Sequence, residues 1–133
     1  MSYRVIVCGG RNYDDQARVD AVLDGLFAKC GGGMTLMHGS ACGADACANA
    51  WGMAKRAFGA SVGIHRWSAD WRKLGPAAGP ARNQRMLAEG RPHLVVAFPG
   101  GRGTADMVRR ATAAGVPVLH VPAAAAPTEA RSA

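Results

Sequence analysis

The sequence predicts an α/β protein in which five strands form one parallel sheet, covered by helices on both faces as a three-layer sandwich. Short, continuously apolar segments alternate along the chain with segments of helical periodicity, a pattern typical of parallel strands that are buried on both faces. Right-handed crossovers between successive strands favour the order 3-2-1-4-5, with the first and fourth strands as neighbours.

Five apolar segments are predicted as strands: YRVIVC (3–8), MTLMH (34–38), SVGIHRW (61–67), HLVVAF (93–98) and VPVLHV (116–121). Helices are predicted at about 15–29, 44–57, 82–89 and 104–114, with an irregular stretch at 68–81. The first helix ends at the glycines 31–33 and carries an apolar stripe on one face. The members of this stripe are Val19, Val22, Leu23, Leu26 and Phe27.

Length and composition predict one domain over residues 1–122, followed by an Ala- and Pro-rich tail, 123–133, that we expect to be flexible. Hydrophobic residues make up 49% of the chain, so a packed core is expected. No apolar run reaches the roughly 18 residues that a membrane span needs, and the N-terminus lacks a signal-peptide pattern. We therefore expect a cytoplasmic protein that does not associate with membranes.

The cysteines and histidines do not form a metal-binding pattern. Cys8, Cys30, Cys42 and Cys47 include no CxxC pair, and no histidine stands at ligand spacing from another. Reduced, buried thiols are expected, and neither a metal nor a cofactor is predicted. The histidines, each at or beside a predicted strand end, are His38, His65, His93 and His120. Of these, His38 is the strongest candidate for a functional role.

The net charge of +7 comes mainly from arginine, with thirteen Arg against three Lys. Arginine suits bidentate recognition of phosphate. A basic surface also binds nucleic acid, although here the arginines are scattered and no aromatic platform accompanies them. A solvated basic surface accounts for most of these side chains.

Three glycine-rich turns follow neighbouring strands: GGRNYDD after the first, HGSACGAD after the second and PGGRGTAD after the fourth. They meet where the winding reverses, and a strand, a glycine turn and a helix together present bare N–H groups to a phosphate. The candidate ligand-binding residues of these turns are Gly9, Gly10, Arg11, His38, Gly39, Gly43, Asp45, Pro99, Gly100, Gly101, Arg102, Gly103 and Thr104. The chain has no GxxxxGK[ST] motif, and GRGTAD lacks the third glycine of the dinucleotide fingerprint.

Each of these residues also has a purely structural interpretation. The glycines fit tight turns with positive φ, and Thr104 fits the N-cap of the last helix. Asp45 and Asp106 fall in the predicted first turns of their helices, where a carboxylate either complements the helix dipole or contacts a ligand. Both aspartates are also candidate catalytic residues.

The stretch ADWRKLGPAAGPARNQRM is longer and more polar than a simple connection requires. Trp71 either covers the crevice, stacks on a base or packs in the core. Gly79-Pro80 indicates the start of a helix, so Arg82, Asn83 and Arg85 are expected near the N-terminal end of this helix. Arg82 and Arg85 share a helix face, where they either clamp one anionic group or form a solvated helix end.

Four motifs in register resemble the YspA/YpsA-related branch of the SLOG superfamily: GGR-x-Y, HG-x-A-x-GAD, AGP-x-RNQRM and PGGRGTADM. The resemblance covers about residues 3 to 121. It implies a Rossmann-like fold that binds nucleotides or nucleotide-derived ligands. The superfamily includes the Lonely Guy phosphoribohydrolases, molybdenum-cofactor carriers and DNA-processing protein A.

The Lonely Guy loop PGG-x-GT-x-x-E is similar to Pro99–Thr104 of this chain. In those enzymes the loop cradles the phosphate of a nucleoside monophosphate, and its glutamate assists cleavage of the base–ribose bond. Met107 stands at the glutamate position, and Asp106 is one residue short. The resemblance also implies an arginine on the helix before the fourth strand, a role for Arg82 or Arg85. Cys42 falls where relatives commonly carry a basic residue.

Three functions follow from these residues. The first is binding or sensing of a nucleotide-derived ligand, and the second is N-glycosidic hydrolysis of nucleoside monophosphates by Asp106 or Asp45. The third is binding of nucleic acid. The resemblance and the Ala-rich segments ACANAWGMA and MVRRATAAG also lead us to expect a homodimer.

Overall fold

Five parallel strands form one sheet in the computed structural model, which describes residues 2–123. The strands are β1 (Tyr3–Cys8), β2 (Met34–His38), β3 (Val62–Arg66), β4 (Leu94–Ala97) and β5 (Val118–His120). Their order, β3-β2-β1-β4-β5, confirms the predicted order. Val5 of β1 is aligned with Leu36 on one side and Leu94 on the other, so the carboxyl ends of the three central strands meet at one edge.

Helices cover both faces of the sheet. They are α1 (Gln16–Cys30), α2 (Ala44–Ala57), α3 (Trp71–Leu74), α4 (Ala78–Gly90) and α5 (Arg102–Ala113), with a 3₁₀ turn at Gly75–Ala77 between α3 and α4. Successive residues of β1 point to opposite faces. Val5 and Val7 belong to the core under α1 and α2, whereas Ile6 packs with Met86 of α4 and Met107 of α5.

The predicted limits of the first helix are correct to within one residue. Asp15 caps α1, because its carboxylate accepts a hydrogen bond of 3.0 Å from the N–H of Arg18. Gly31 ends the helix in the left-handed conformation, with φ of 69°. Within the apolar stripe, Val19 and Leu23 are fully buried and the other members pack against the same core.

The segment predicted as irregular, 68–81, contains α3, the 3₁₀ turn and the start of α4. Helix α4 begins at Ala78, four residues before the predicted start. Pro80 does not prevent this, because it lies in the first turn, where its missing N–H would have no helical partner. Asp70 caps α3 by accepting a 3.1 Å hydrogen bond from the N–H of Lys73.

Helix α5 begins at Arg102 rather than at residue 104, and Gly101 occupies the N-cap position. The prediction of Thr104 as the N-cap is therefore wrong. Strands β3, β4 and β5 are each shorter at their ends than predicted. No helix within residues 2–123 is long and apolar enough to cross a membrane. Residues 124–133 of the predicted tail lie outside the described residues.

Gly43 is a position where the fold requires glycine. It adopts φ of 73°, and a Cβ added there would collide with the Gly10 carbonyl oxygen. We predict that Gly43→Ala lowers the free energy of unfolding by about 1–3 kcal/mol. The matched control is Gly25→Ala on the exposed side of α1, where a Cβ meets nothing within 4 Å. This change is expected to raise the free energy of unfolding by about 0.5–1 kcal/mol. Urea denaturation measures both, and a Gly43→Ala variant as stable as the unmodified protein would contradict this account.

Candidate functional site

A crevice of about 830 Å³ opens at the carboxyl ends of the central strands. Its walls are the turns that follow β1, β2 and β4, together with α3 and the start of α4. Strand β1 lies between β2 and β4, so the crevice stands where the winding of the sheet reverses. This is the position at which open α/β sheets bind ligands.

The peptide groups of Gly10 join the three turns. The N–H of Gly10 donates a 2.8 Å hydrogen bond to the Pro99 carbonyl, and the Gly10 carbonyl accepts one of 3.1 Å from the N–H of Ala44. A Cβ on Gly9 would lie 2.5 Å from the Ala44 Cβ, and one on Gly100 would lie 2.7 Å from the Gly10 nitrogen. These glycines therefore let the backbones of the turns touch one another.

The start of α5 is open to the crevice. The N–H groups of Arg102, Gly103 and Thr104 precede the first helical hydrogen bond, which the N–H of Ala105 donates to the Gly101 carbonyl at 3.0 Å. Within residues 2–123, no side chain caps this end of the helix, and its first turn holds no acidic residue. Added Cβ atoms on Gly101 and Gly103 would meet nothing within 4 Å. The positive end of the helix dipole and N–H groups that donate to no acceptor among the described residues make this helix start favourable for an anion.

The start of α2 differs because it carries a carboxylate of its own. Asp45 accepts hydrogen bonds through Oδ2 from the N–H groups of Gly39 (3.0 Å) and Ala41 (3.2 Å). Its Oδ1 has no hydrogen-bond partner among the described residues. Burial raises the pKa of Asp45, against the opposing effect of these backbone hydrogen bonds and of the His38 and Arg82 charges. The negative charge makes the start of α2 less favourable for an anion than the start of α5.

Arg82 of α4 lies along the wall of the crevice. Its Nη1 donates to the carbonyls of Gly39 (2.6 Å) and Trp67 (3.1 Å), and its Nε donates to Asn83 Oδ1 (3.0 Å). Gly39 has no Cβ that would collide with the guanidinium group. Burial lowers the pKa of Arg82, partly offset by Asp45, but an arginine stays charged in a protein. Its Nη2 makes no hydrogen bond within residues 2–123, so this group can donate to a ligand.

Asn83 connects Arg82 to α5. Its Nδ2 donates to Asp106 Oδ2 (3.0 Å) and to the Gly103 carbonyl (3.3 Å). Asn83 is buried, and its contacts hold the start of α5 in place against α4. It therefore positions the other groups of the site.

Asp106 lies in the crevice wall, but its carboxylate is already fully engaged. Besides the Asn83 contact, it accepts hydrogen bonds from Arg109 (2.7 Å) and Arg110 (2.9 Å). Burial opposes ionisation, yet the hydrogen bonds from Asn83 and Arg110 and the two arginine charges lower the pKa of Asp106. It is the fifth residue of α5 and not part of the first turn, contrary to prediction.

The crevice is lined by many of the residues that the turns and α4 were predicted to contribute. These are Gly9, Gly10, Arg11, Gly39, Asp45, Arg82, Asn83, Gly101, Arg102, Gly103, Thr104 and Asp106. Gly43, Pro99 and Gly100 lie behind the lining, where they join the turns. The crevice is also lined by Cys8, Ser68 and Pro76, which were not among the predicted site residues. The length of the segment 68–81 was the only signal for the last two.

Two more predicted ligand-binding residues, His38 and Arg85, also do not line the crevice. His38 is buried at the end of β2, where Nε2 lies 3.0 Å from Asn49 Oδ1 and Nδ1 accepts a 3.0 Å hydrogen bond from the N–H of Ser40. Arg85 lies 3.4 Å from the Glu89 carboxylate, and its guanidinium group stacks over Trp67 at 5.3 Å. The proposed clamp of Arg82 and Arg85 is therefore not present in the crevice wall.

Met107 faces the core and not the crevice. Its side chain is fully buried among Ile6, Met37 and Met86 on the α4–α5 side of the sheet. Because neighbouring side chains on a helix are about 100° apart, Asp106 lies on the side of α5 that lines the crevice. Met107, which stands at the position of the Lonely Guy glutamate, is therefore the residue turned away from the crevice.

The cysteines are free, but none is fully buried as predicted, since Cys8, Cys30 and Cys47 are half-buried and Cys42 is exposed in the crevice lining. Burial and the nearby Asp45 charge raise the pKa of Cys8 to about 12, against the smaller effect of Arg82. The Cys8 thiol is therefore protonated at neutral pH and is a poor nucleophile. Within the described part of the chain, no three His, Cys, Asp or Glu side chains are grouped as metal ligands.

The sheet order and the three joined turns define a Rossmann-like α/β protein with a site at the reversal of the winding. A family model described as the YspA, cpYpsA-related SLOG family matches residues 3–74. The chain is also similar to the Gene 61 protein of Mycobacterium phage D29, with 39% identity over 122 residues that cover 88% of this chain and 94% of that protein. The chain belongs to the YspA, cpYpsA-related SLOG family. Membership indicates a nucleotide-related binding or hydrolase-like role.

The burial of Met107 predicts that a glutamate, which the Lonely Guy enzymes carry at this position, destabilises this protein. Met107→Glu places a carboxylate in an apolar core without a partner, so we expect it to lower the free energy of unfolding by several kcal/mol. Met107→Leu, which keeps the side chain apolar and of similar volume, is expected to cost less than about 1.5 kcal/mol. Urea denaturation at neutral pH compares the two. A stable Met107→Glu variant that gains release of free base would contradict the position of Met107.

Proposed function

We propose that this protein binds a nucleotide or a nucleotide-derived ligand, whose phosphate is held at the start of α5. The observation that carries the proposal is the open helix start, where the N–H groups of Arg102, Gly103 and Thr104 face the crevice without a capping side chain. The neighbouring helix start on α2 is occupied by the charge of Asp45, so the two ends are not equivalent.

Positive charge and volume support the same proposal. Arg11, Arg82 and Arg102 all line the crevice, and each brings a guanidinium group suited to phosphate. The volume of about 830 Å³ lies within the range of about 300–1,000 Å³ that is typical of small-molecule sites. A phosphate alone needs far less space, so the remaining volume suits a sugar and a base.

Two substitutions test the phosphate site. We expect Arg102→Ala to weaken binding about tenfold by removing a charged donor, and Gly101→Val to abolish it by blocking approach to the backbone. Neither position has a packing role, because a Cβ on Gly101 meets nothing and Arg102 is exposed. Thermal shift with AMP, GMP, CMP, UMP and ADP-ribose measures binding, and the melting temperature without ligand monitors the fold.

Arg85→Ala is the matched control, because Arg85 is an arginine of α4 that points away from the crevice. It is expected to bind ligand like the unmodified protein. Normal binding by a folded Gly101→Val variant would refute the phosphate site. Failure of every nucleotide to stabilise the unmodified protein would refute the proposed function itself.

N-glycosidic hydrolysis is the second candidate, and one feature of Asp45 favours it. Asp45 lines the crevice and its Oδ1 accepts no hydrogen bond from the described residues, whereas both oxygens of Asp106 already accept hydrogen bonds. In such a reaction the carboxylate takes a proton from water, water oxygen bonds to C1′, and the C1′–N bond breaks. The departing base takes the electron pair and then a proton.

Chromatography for free base, after overnight incubation with a nucleoside monophosphate, tests this candidate. If Asp45 is the base, release is lost in Asp45→Asn and retained in Asp106→Asn. Only ionised Asp45 accepts a proton, and its pKa is raised, so the rate should increase as pH rises through that pKa. Absence of base release by the unmodified protein would exclude hydrolysis and leave ligand binding without turnover.

A further inference from the structure

One of the three tryptophans stands at the crevice rather than in the core. Trp51 is buried between α1 and α2, and Trp67 packs against the core on the α4–α5 side. Trp71, the first residue of α3, lines the crevice with 49% of its surface exposed. Because the indole is exposed to this extent, the interpretation of Trp71 as a core residue is wrong.

The indole of Trp71 is held in position by its own segment. Asp70 caps the short helix that carries it, through the 3.1 Å hydrogen bond from the N–H of Lys73. Gly79 of α4 allows the ring to approach closely, since an added Cβ would lie 3.1 Å from Trp71 Cη2. The ring therefore lies against the start of α4 in the free protein.

In the free protein, the guanidinium group of Arg11 lies over the face of the Trp71 ring. Its guanidinium carbon lies 5.7 Å from the centroid of the Trp71 ring, in a cation–π contact. Arg11 is exposed and follows β1 in the turn that contains Gly10. Among the described residues it forms no ion pair, so little holds the guanidinium group over the ring.

We propose that Trp71 is the platform for an aromatic base, which stacks on the ring face that Arg11 covers in the free protein. This inference rests on the proposed function and narrows it. The ligand class becomes a nucleotide with its base, rather than a sugar phosphate or inorganic phosphate. Displaced from the ring, the Arg11 guanidinium group is free to pair with an anionic oxygen of the same ligand. The phosphate end and the base end of the crevice then have separate residues, so they can be tested separately.

The experiment compares ribose 5-phosphate with the four ribonucleoside monophosphates, by calorimetric titration of the full chain. The variants are Trp71→Ala and Trp71→Phe, with Leu74→Ala as the matched control. Leu74 is an exposed apolar residue of the same helix that does not line the crevice. Quenching of tryptophan emission provides an independent measurement, because a stacked base alters the emission of Trp71 and a sugar phosphate does not.

We expect at least one nucleotide to bind about tenfold or more tightly than ribose 5-phosphate, which is the order of effect that base–aromatic stacking produces. Trp71→Ala should remove this advantage, whereas ribose 5-phosphate should still bind, because the start of α5 is intact in this variant. Trp71→Phe should keep most of the advantage, and Leu74→Ala should keep all of it. Nucleotide-dependent quenching should disappear in Trp71→Phe.

Two results would overturn the inference without touching the phosphate site. In the first, ribose 5-phosphate binds to the unmodified protein as tightly as every nucleotide. In the second, the nucleotide advantage persists in Trp71→Ala. By contrast, if neither the nucleotides nor ribose 5-phosphate bind at all, the proposed function fails together with this inference.

Discussion

The backbone of Gly10 is the point at which the turns of the crevice are joined. Its N–H bonds to Pro99 in the turn after β4, and its carbonyl accepts from Ala44 at the start of α2. Three turns that are distant in sequence are thereby held within hydrogen-bond reach of one another. The contact is possible only without side chains, because Gly9, Gly43 and Gly100 would each bring a Cβ into a neighbouring turn. The geometry of the crevice depends on this junction.

The two helix starts that meet at this junction have different chemistry. At α2, the Asp45 carboxylate holds the turn at Gly39 and Ala41 and contributes negative charge. At α5, no acidic residue lies in the first turn, and the N–H groups stay open. One end of the crevice therefore suits an anion, while the other presents a buried carboxylate with one free oxygen. For the nucleotide ligand that we propose, this asymmetry defines a direction of binding.

A polar network links the two ends through α4. Arg82 binds the turn at Gly39 and also bonds to Asn83, which in turn holds Asp106 and the start of α5. The carboxylate of Asp106 is committed to this network, so its burial near the crevice reflects positioning of α5. We therefore assign different roles to the two aspartates that the sequence could not distinguish.

The sheet and its order were predictable because parallel strands buried on both faces leave uninterrupted apolar segments such as YRVIVC and MTLMH. Helix starts were less predictable. The dipeptide Gly79-Pro80 indicated a start, but proline is tolerated throughout the first turn, and α4 begins before it. An error of two residues at the start of α5 misplaced Thr104 and put Asp106 in the first turn.

Side-chain direction was the least predictable property of the site. Which of Asp106 and Met107 faces the crevice depends on the phase of α5 against the sheet, and tertiary packing sets that phase. Arg85 was expected at the crevice because it shares a helix face with Arg82, yet its partner Glu89 lies one turn further along the same helix. The position of Trp71 could not be predicted, because it depends on the path of the segment 68–81, and this segment has no periodic pattern.

We propose that the start of α5 binds phosphate and the start of α2 does not. Backbone amide resonances in a nitrogen-15 correlation spectrum test it directly during titration with a nucleoside monophosphate. We expect the largest shifts on the N–H groups of Arg102, Gly103 and Thr104, which donate to no acceptor among residues 2–123 in the free protein. Largest shifts at Asp45 and Ala46, with the α5 amides unchanged, would contradict it.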